Sequence, residues 1–242
     1  MNNCKNCNEP LNGNYCPNCG QPAKLKKIDG RYIFREIASA FNAESGMLYT
    51  IKRMLTSPGK SVRAYITEDR SRNVKPISFV IITALIYTLV NHFFPVHIED
   101  YIPQADEKVA NMRDFIFSWM QENSGYSHLI IGLFMAFGVK VFFRKAGFNL
   151  FEIYVLLCYV FGMLSLFRSL VNIFQAIMPL NLMQVIIFIN LIYITWAVGQ
   201  FFNGKKASSY IKACLSYLFG AIIFSFFVMV GFSIYFITKQ LI

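Results

Sequence analysis

The residues of this chain best suited to chemistry are four cysteines near its start, arranged as two Cys-x-x-Cys pairs. Cys4 and Cys7 form the first pair, Cys16 and Cys19 form the second, and eight residues separate them. Four thiolates at about 2.3 Å supply the tetrahedral coordination that Zn²⁺ favours. Gly20 follows the second pair and predicts a tight turn with a positive φ. The spacing therefore predicts a zinc site that is structural, because four protein ligands leave no coordination position open.

Two other uses of four cysteines stay open beside zinc. Disulfides would suit an oxidising compartment, whereas the charge pattern places this end of the chain in the cytoplasm. An iron–sulfur cluster also takes four thiolates, but the compact knuckle is more typical of zinc. The remaining cysteines, Cys158 and Cys214, lie in apolar segments, where cysteine usually acts as a small apolar side chain.

A second group of candidates consists of polar residues within apolar segments. Ionisable and amide side chains are costly in hydrocarbon, so residues of this kind are functional candidates by default. They predict a membrane polar site, whose members would be Asn91, Lys140, Glu152, Arg168 and Asn190.

The three histidines, His92, His97 and His128, define a third candidate, an outer-face site. Imidazoles near acidic residues can bind a metal or carry a proton. Their spacing matches no known motif, however, and ordinary interfacial histidines explain the pattern as well. No hydrolase elbow, phosphate-binding loop or metalloprotease helix occurs in the sequence. These observations favour a protein that is not an enzyme.

The composition predicts the elements that must position these residues. Hydrophobic residues make up 55% of the chain and charged residues 15%, against about 25% charged in globular proteins. A helix needs about 20 apolar residues to cross the hydrocarbon, and a single helix satisfies its own backbone hydrogen bonds there. We therefore predict an all-α integral membrane protein with five spans, at about 77–94, 126–143, 150–167, 182–202 and 213–237.

The charge pattern predicts the orientation of these spans. Basic residues precede the first span and recur at Arg144-Lys145 and Lys205-Lys206, whereas residues 95–125 are rich in acids. Lys and Arg collect in cytoplasmic loops. The pattern therefore predicts a cytoplasmic N-terminus, an outside C-terminus and a bacterial inner-membrane location.

Three regions follow from these patterns: a zinc ribbon at 1–22, a basic amphipathic connector at 23–76 and a five-helix transmembrane domain at 77–242. Helical periodicity in the connector appears at 32–41 and 47–55, and Pro58-Gly59 should end the second helix. These helices would either lie in the membrane interface, where their cations meet anionic lipid, or pack against the membrane domain. Nucleic acid is disfavoured as a partner because Lys5 and Glu9 leave the ribbon neutral.

Two stretches resemble a bacterial membrane-protein family of unknown function whose members carry an N-terminal zinc ribbon. The first runs from Tyr15 through Cys16-Pro17-Asn18-Cys19-Gly20 to Gln21. The second has the residues Tyr49-Thr50-Ile51-Lys52-Arg53-Met54-Leu55, Pro58-Gly59, Tyr65-Ile66, Arg70 and Pro76. The family often has a glycine near position 68, where this chain has Glu68-Asp69. The resemblance implies the architecture and the bacterial inner membrane, and it implies no activity or catalytic residue.

The function expected from the sequence is that of a scaffold, sensor or regulatory interaction protein whose ribbon binds a protein partner. A small-solute or lipid transporter using the membrane polar site is the first alternative. A lipid-modifying enzyme using the histidines is the second. The sequence leaves open whether the protein forms an oligomer.

Overall fold

The structure is a computed structural model that describes residues 3, 4, 7, 9, 10, 13–20, 46–70, 72–95, 119, 120, 123–178 and 182–240. Of residues 124, 183 and 232–240 it describes the backbone. The chain divides into two compact units, Met1–Glu44 and Ser45–Ile242. The predicted boundary at 22–23, the helical pattern at 32–41 and most of the acidic stretch at 95–125 lie outside the described residues.

The second unit is built from helices, as the sequence predicts. In chain order they are α1 (Met47–Thr56), α2 (Pro58–Thr67), α3 (Pro76–Phe93), α4 (Ser124–Phe142), a 3₁₀ turn (Arg144–Ala146), α5 (Leu150–Ile177), α6 (Met183–Asn203) and α7 (Ala207–Gln240). Proline occupies the first position of α2 and of α3, where its missing N–H costs no hydrogen bond.

Helices α3 to α7 each contain a segment long and apolar enough to cross a membrane. These segments are Pro76–Phe93, Gly125–Phe142, Leu150–Ile177, Gln184–Asn203 and Ala207–Gly231. The five predicted spans are therefore confirmed as helices of the required length and hydropathy. Their side chains also explain the composition, since large apolar residues such as Leu85, Phe188 and Ile222 remain exposed on the bundle surface, where a membrane would cover them.

Two helices are longer than the sequence predicts. The third span was expected to end at 167, but α5 continues to Ile177 because the polar residues beyond that point face the bundle interior. Ser169 and Asn172 are both buried there. The fifth span begins at Ala207 and not at 213, and the Tyr210 hydroxyl in its first turns donates to the Gly204 carbonyl at 3.0 Å.

Helix α5 forms the centre of the bundle. Ile153, Leu156 and Val160 have no exposed surface. Gly162 lets α3 approach closely, since a Cβ at this position would lie 2.6 Å from the Phe79 ring. The helix begins with a capping box, in which Asn149 and Glu152 each accept a backbone N–H of the other at 2.9 and 2.7 Å.

Helices α1 and α2 form a hairpin that packs against the bundle. Met54 and Val62 point into the same core as α5 and are each 1% exposed. The Tyr193 hydroxyl of α6 donates to the Met54 carbonyl at 3.0 Å. On a flank of α1, Leu48 and Leu55 are exposed apolar side chains. Packing against the membrane domain is thus confirmed for these two helices, and an apolar edge remains for the bilayer.

The hairpin and α6 approach each other closely at Gly59. The Lys60 N–H donates to Gln200 Oε1 at 3.2 Å, and the Arg63 guanidinium donates to the Phe201 carbonyl at 3.3 Å. A methyl group at Gly59 would collide with the backbone of Ala197 and Phe201. Only glycine therefore permits this backbone-to-backbone contact.

We predict that Gly59→Ala destabilises the protein by about 1–3 kcal/mol, because main-chain atoms cannot yield as flexible side chains do. Gly125→Ala is the matched control, since a Cβ there would meet only the Ala84 Cβ at an ordinary 3.6 Å. Thermal unfolding of both variants in detergent provides the measurement. We expect a lower Tm for Gly59→Ala alone, and equal midpoints would contradict the docked hairpin.

Candidate metal centre and intramembrane polar cavity

Two short turns bring the cysteine pairs together in the first unit. The Cys4 N–H donates to the Glu9 carbonyl at 2.8 Å, and Asn3 pairs with Pro10 in an isolated antiparallel bridge. The Gly20 N–H donates to the Cys16 carbonyl at 3.0 Å, and Gly20 has a φ of +72°. The positive φ predicted for Gly20 is confirmed, and it closes the turn that follows the second pair.

The four cysteine sulfurs surround one point. All four Sγ atoms lie within 4.8 Å of one another. Cys4 Sγ is 3.5 Å from Cys19 Sγ, and Cys7 Sγ is 3.5 Å from Cys16 Sγ. Each close contact therefore joins a cysteine of the first Cys-x-x-Cys pair to a cysteine of the second. A tetrahedral site with metal–sulfur bonds of about 2.3 Å has sulfur–sulfur edges of about 3.8 Å. The spacing of the sulfurs thus fits one metal ion. The four cysteines are free thiols and form no disulfide.

The surroundings of the sulfurs also suit a cation. Cys4 and Cys16 are buried, whereas Cys19 is exposed. A backbone hydrogen bond with Glu9 lowers the pKa of Cys7, but hydrogen bonds with Cys16 and Cys19, loss of hydration and a hydrogen bond with Cys4 together outweigh it and raise that pKa to about 12. A thiol of this kind keeps its proton until a cation displaces it. Among the described residues this is the one group of three or more potential metal ligands close enough to share an ion.

A second feature is a cavity of about 300 Å³ inside the helical bundle, with walls from α3 to α7 that are mostly apolar and carry several polar side chains. Arg168 and Asn190 of the predicted membrane polar site both line it, as does His128 of the predicted outer-face site. Asn91 borders it indirectly, because the Asn172 side-chain amide lines the cavity and donates to Asn91 Oδ1 at 2.9 Å.

Neighbouring side chains hold the polar groups of this cavity in place. The Arg168 guanidinium hydrogen-bonds the Tyr87 hydroxyl. Ser165 Oγ lies 3.3 Å from His128 Nδ1, and the imidazole stacks on the Phe161 ring with centroids 5.5 Å apart. The cavity therefore presents polar side chains whose orientation is fixed by their neighbours.

The structure places the other predicted residues elsewhere. The Lys140 ammonium donates to the Phe148 carbonyl, and Glu152 caps α5, both at the end of the bundle away from the cavity. His92 lies in the last turn of α3 with its ring against Phe93. His97 falls outside the described residues.

Sequence reasoning missed several residues of the cavity, including Tyr87, Asn172 and Tyr217. A readable signal was present in α5. Ser165, Arg168, Ser169, Asn172 and Gln175 follow the spacing of one helical face within an otherwise apolar segment. Such a stripe predicts that the helix turns a polar face inward.

These features define the class of protein: a helical membrane protein with five candidate spans and a cysteine cluster that can bind a metal. The model of a family described as "Protein of unknown function (DUF3667)" matches residues 44–88. No curated protein matches the chain, and no solved structure matches it.

The matched segment corresponds to a definite part of the structure. It contains α1, α2, the loop that follows and most of α3. The second stretch of the resemblance noted in the sequence falls within it. The similarity to this family therefore lies in the docked hairpin and the first span, including Tyr87 at the edge of the cavity, and the match does not include the cysteines.

We predict that the purified full-length protein carries about one metal ion per chain and that Cys16→Ser/Cys19→Ser loses it, because two thiolates cannot complete the tetrahedron. Elemental analysis checks both. Metal affinity should fall as the pH falls, since protons compete for the same sulfurs. A Cys158→Ser/Cys214→Ser variant should retain the metal. Retention by the first variant would contradict the assignment.

Proposed function

We propose that this chain is a bacterial inner-membrane protein whose cytoplasmic zinc ribbon serves as an interaction module, in a scaffold, sensor or regulatory role. The observation that carries the proposal is the closed set of four thiols. A metal surrounded by four protein ligands has no position for substrate or water, so it stabilises a fold and does not catalyse a reaction.

Zinc is the metal that this ligand set favours. Thiolates are soft ligands, and a tetrahedral four-sulfur site is typical of zinc or an iron–sulfur centre. A single tetrahedral ion fits sulfurs that lie 3.5 Å apart in two pairs. A segment this short cannot build an adequate core of its own, so metal binding would supply most of its folding free energy.

The ribbon also offers a surface for a protein partner. Tyr15 is 66% exposed, and the knuckle residues Pro17 and Asn18 beside it are exposed as well. An exposed tyrosine on a metal-stiffened turn supplies contact area at little cost in conformational entropy. The ribbon with Tyr15 at its surface is therefore the region where we place the partner.

Partner binding can be tested with a variant that spares the metal. Tyr15→Ser should retain one zinc per chain, because Tyr15 is not a ligand, but should lose the proteins that co-purify with the wild type after crosslinking in intact membranes. Cys16→Ser/Cys19→Ser should lose both. Identical crosslinked proteins for wild type and both variants, with all three folded, would contradict an interaction role for the ribbon.

The charge distribution supports a cytoplasmic position for the end of the bundle that carries the hairpin. A groove lined by Lys60, Arg63 and Lys205 lies where α2 meets the end of α6. A neighbouring groove is lined by Arg144, Lys145, Lys206 and Lys212. Cations at the cytoplasmic face follow the positive-inside rule and attract anionic lipid. We accordingly propose anionic lipid as the partner of this basic end.

The proposed orientation has a direct test. Alkaline phosphatase fused after Ile242 should be active, because the enzyme folds only outside the cytoplasm, whereas a fusion in the exposed turn at Gly147 should be inactive. A fluorescent protein that folds in the cytoplasm should give the opposite pattern. Activity of phosphatase at Gly147 would invert the proposed topology.

A second candidate function is the transport of a small solute or lipid. The observation that favours it is the cavity that holds Arg168 and Asn190 within the spans. Transport sites commonly lie among the spanning helices and carry the rare polar residues of those helices. Flux of radiolabelled substrate into liposomes that is unchanged by Arg168→Gln would exclude it.

A further inference from the structure

The cavity that holds Arg168 and Asn190 lies in the half of the bundle opposite the basic end. Arg168 follows Leu150 by 18 positions, which corresponds to about 27 Å along α5. Lys60 and Arg63 contact the end of α6, whereas Asn190 lies seven positions after its start at Met183, or about 10 Å. Arg168 therefore stands far from the grooves where basic residues collect, and the positive-inside rule does not explain it.

The charge of Arg168 is not neutralised by any described residue. No carboxylate is among the described residues that line the cavity. The described partner of the guanidinium is the Tyr87 hydroxyl, which is neutral. A guanidinium has five N–H donors, so one hydroxyl leaves ample capacity for an anion. A charged group among spanning helices is costly unless an opposite charge accompanies it.

Asn190 supplies a second, independent indication of a ligand. Its side chain is 9% exposed, and its Oδ1 atom is buried without a hydrogen-bond partner among the described residues. Buried polar atoms are nearly always paired, and an unpaired one is expensive. A ligand that reaches Asn190 would therefore need a donor, such as a hydroxyl or an amine.

The remaining walls of the cavity are apolar. Ile131, Met135 and Leu164 line one part of it, and Ile187 and Phe224 line another. Mostly apolar walls with a few fixed polar groups are characteristic of ligand sites, and about 300 Å³ is at the lower end of their volumes. Such walls suit the start of an acyl chain better than a fully hydrated ion.

We propose that this cavity binds an anionic head group that also carries a hydroxyl or amine, with Arg168 holding the anion and Asn190 accepting the donor. His128 and the Asn172 amide complete the polar wall. The head group can belong to a membrane lipid or to a free phosphate ester, since both have the same chemistry at these atoms. This inference is independent of the zinc ribbon and of its proposed partner.

The test uses full-length protein in detergent and three probes: phosphatidylglycerol, phosphatidylcholine and free glycerol phosphate. Affinity is measured by native mass spectrometry and by the ligand-induced shift in Tm. We expect phosphatidylglycerol to bind more tightly than phosphatidylcholine, which has no net charge and no donor. Binding of glycerol phosphate would identify a water-soluble source for the ligand, and its failure beside a binding lipid would identify the membrane.

Two variants locate the binding. Arg168→Gln should weaken phosphatidylglycerol binding by about tenfold or more, because it removes a charge-assisted hydrogen bond. Arg72→Gln, at an exposed position in the loop before α3, removes the same charge from the basic end, where anionic lipid is also expected to bind, and should therefore cost much less affinity than Arg168→Gln. Equal affinities of the wild type and Arg168→Gln, or equal losses in both variants, would overturn the proposal.

A third variant keeps the test decisive should Arg168→Gln fail to fold. Asn190→Leu replaces the amide by an apolar group of similar size, so it removes the unpaired oxygen. We expect the ligand-free Tm to rise, or at least to hold, while phosphatidylglycerol affinity falls severalfold. A merely structural role for Asn190 would move stability and leave affinity unchanged, and that result would count against the site.

Discussion

The packing of this protein depends on satisfying backbone polar groups that lie against an apolar bundle. Within a spanning helix the chain satisfies its own groups, but the hairpin interrupts helical structure at Ser57 and again before α3. Hydroxyls from the bundle and the hairpin satisfy the groups left open. Tyr193 donates to the Met54 carbonyl, Tyr159 donates to the Val74 carbonyl, and Thr50 Oγ1 accepts the Val74 N–H. The hairpin is therefore held by directional bonds as well as by apolar burial.

The same constraint gives the two halves of the bundle different characters. At the hairpin end, cations find carbonyl partners, as Arg63 does at Phe201 and Lys140 does at Phe148. In the other half, the Asn91 and Asn172 amides pair with each other, whereas Asn190 Oδ1 has no described partner. Polar residues that are paired in this way stabilise the fold. Where an acceptor without a described partner and a cation without a described counter-charge line one cavity, a ligand is the natural complement.

The sequence predicts the parts of the structure that rest on local chemistry. Cys-x-x-Cys spacing, the turn at Gly20, the end of α1 before Pro58 and five apolar spans all follow from rules that act over a few residues. What it could not predict arises from contacts distant in sequence. The sequence predicts that Gly59 helps to end a helix. In the structure it instead permits close contact with α6, which lies about 140 residues further along the chain. The sequence predicts that the third span ends just before Arg168. Helix α5 continues past it because Tyr87 and the cavity accommodate the guanidinium.

Helix α5 connects the hairpin with the cavity. Tyr159 contacts the loop before α3, and Arg168 lies nine positions further along the same helix, about 14 Å away. Residues 160–165 between them are buried, and Gly162 lies directly against the Phe79 ring of α3. Close-packed interiors transmit strain because they contain little free volume. Helix α5 would therefore support both a ligand bound at Arg168 and the hairpin that lies within the family match. A movement of α5 at Arg168 would have to be accommodated where Tyr159 meets the loop before α3.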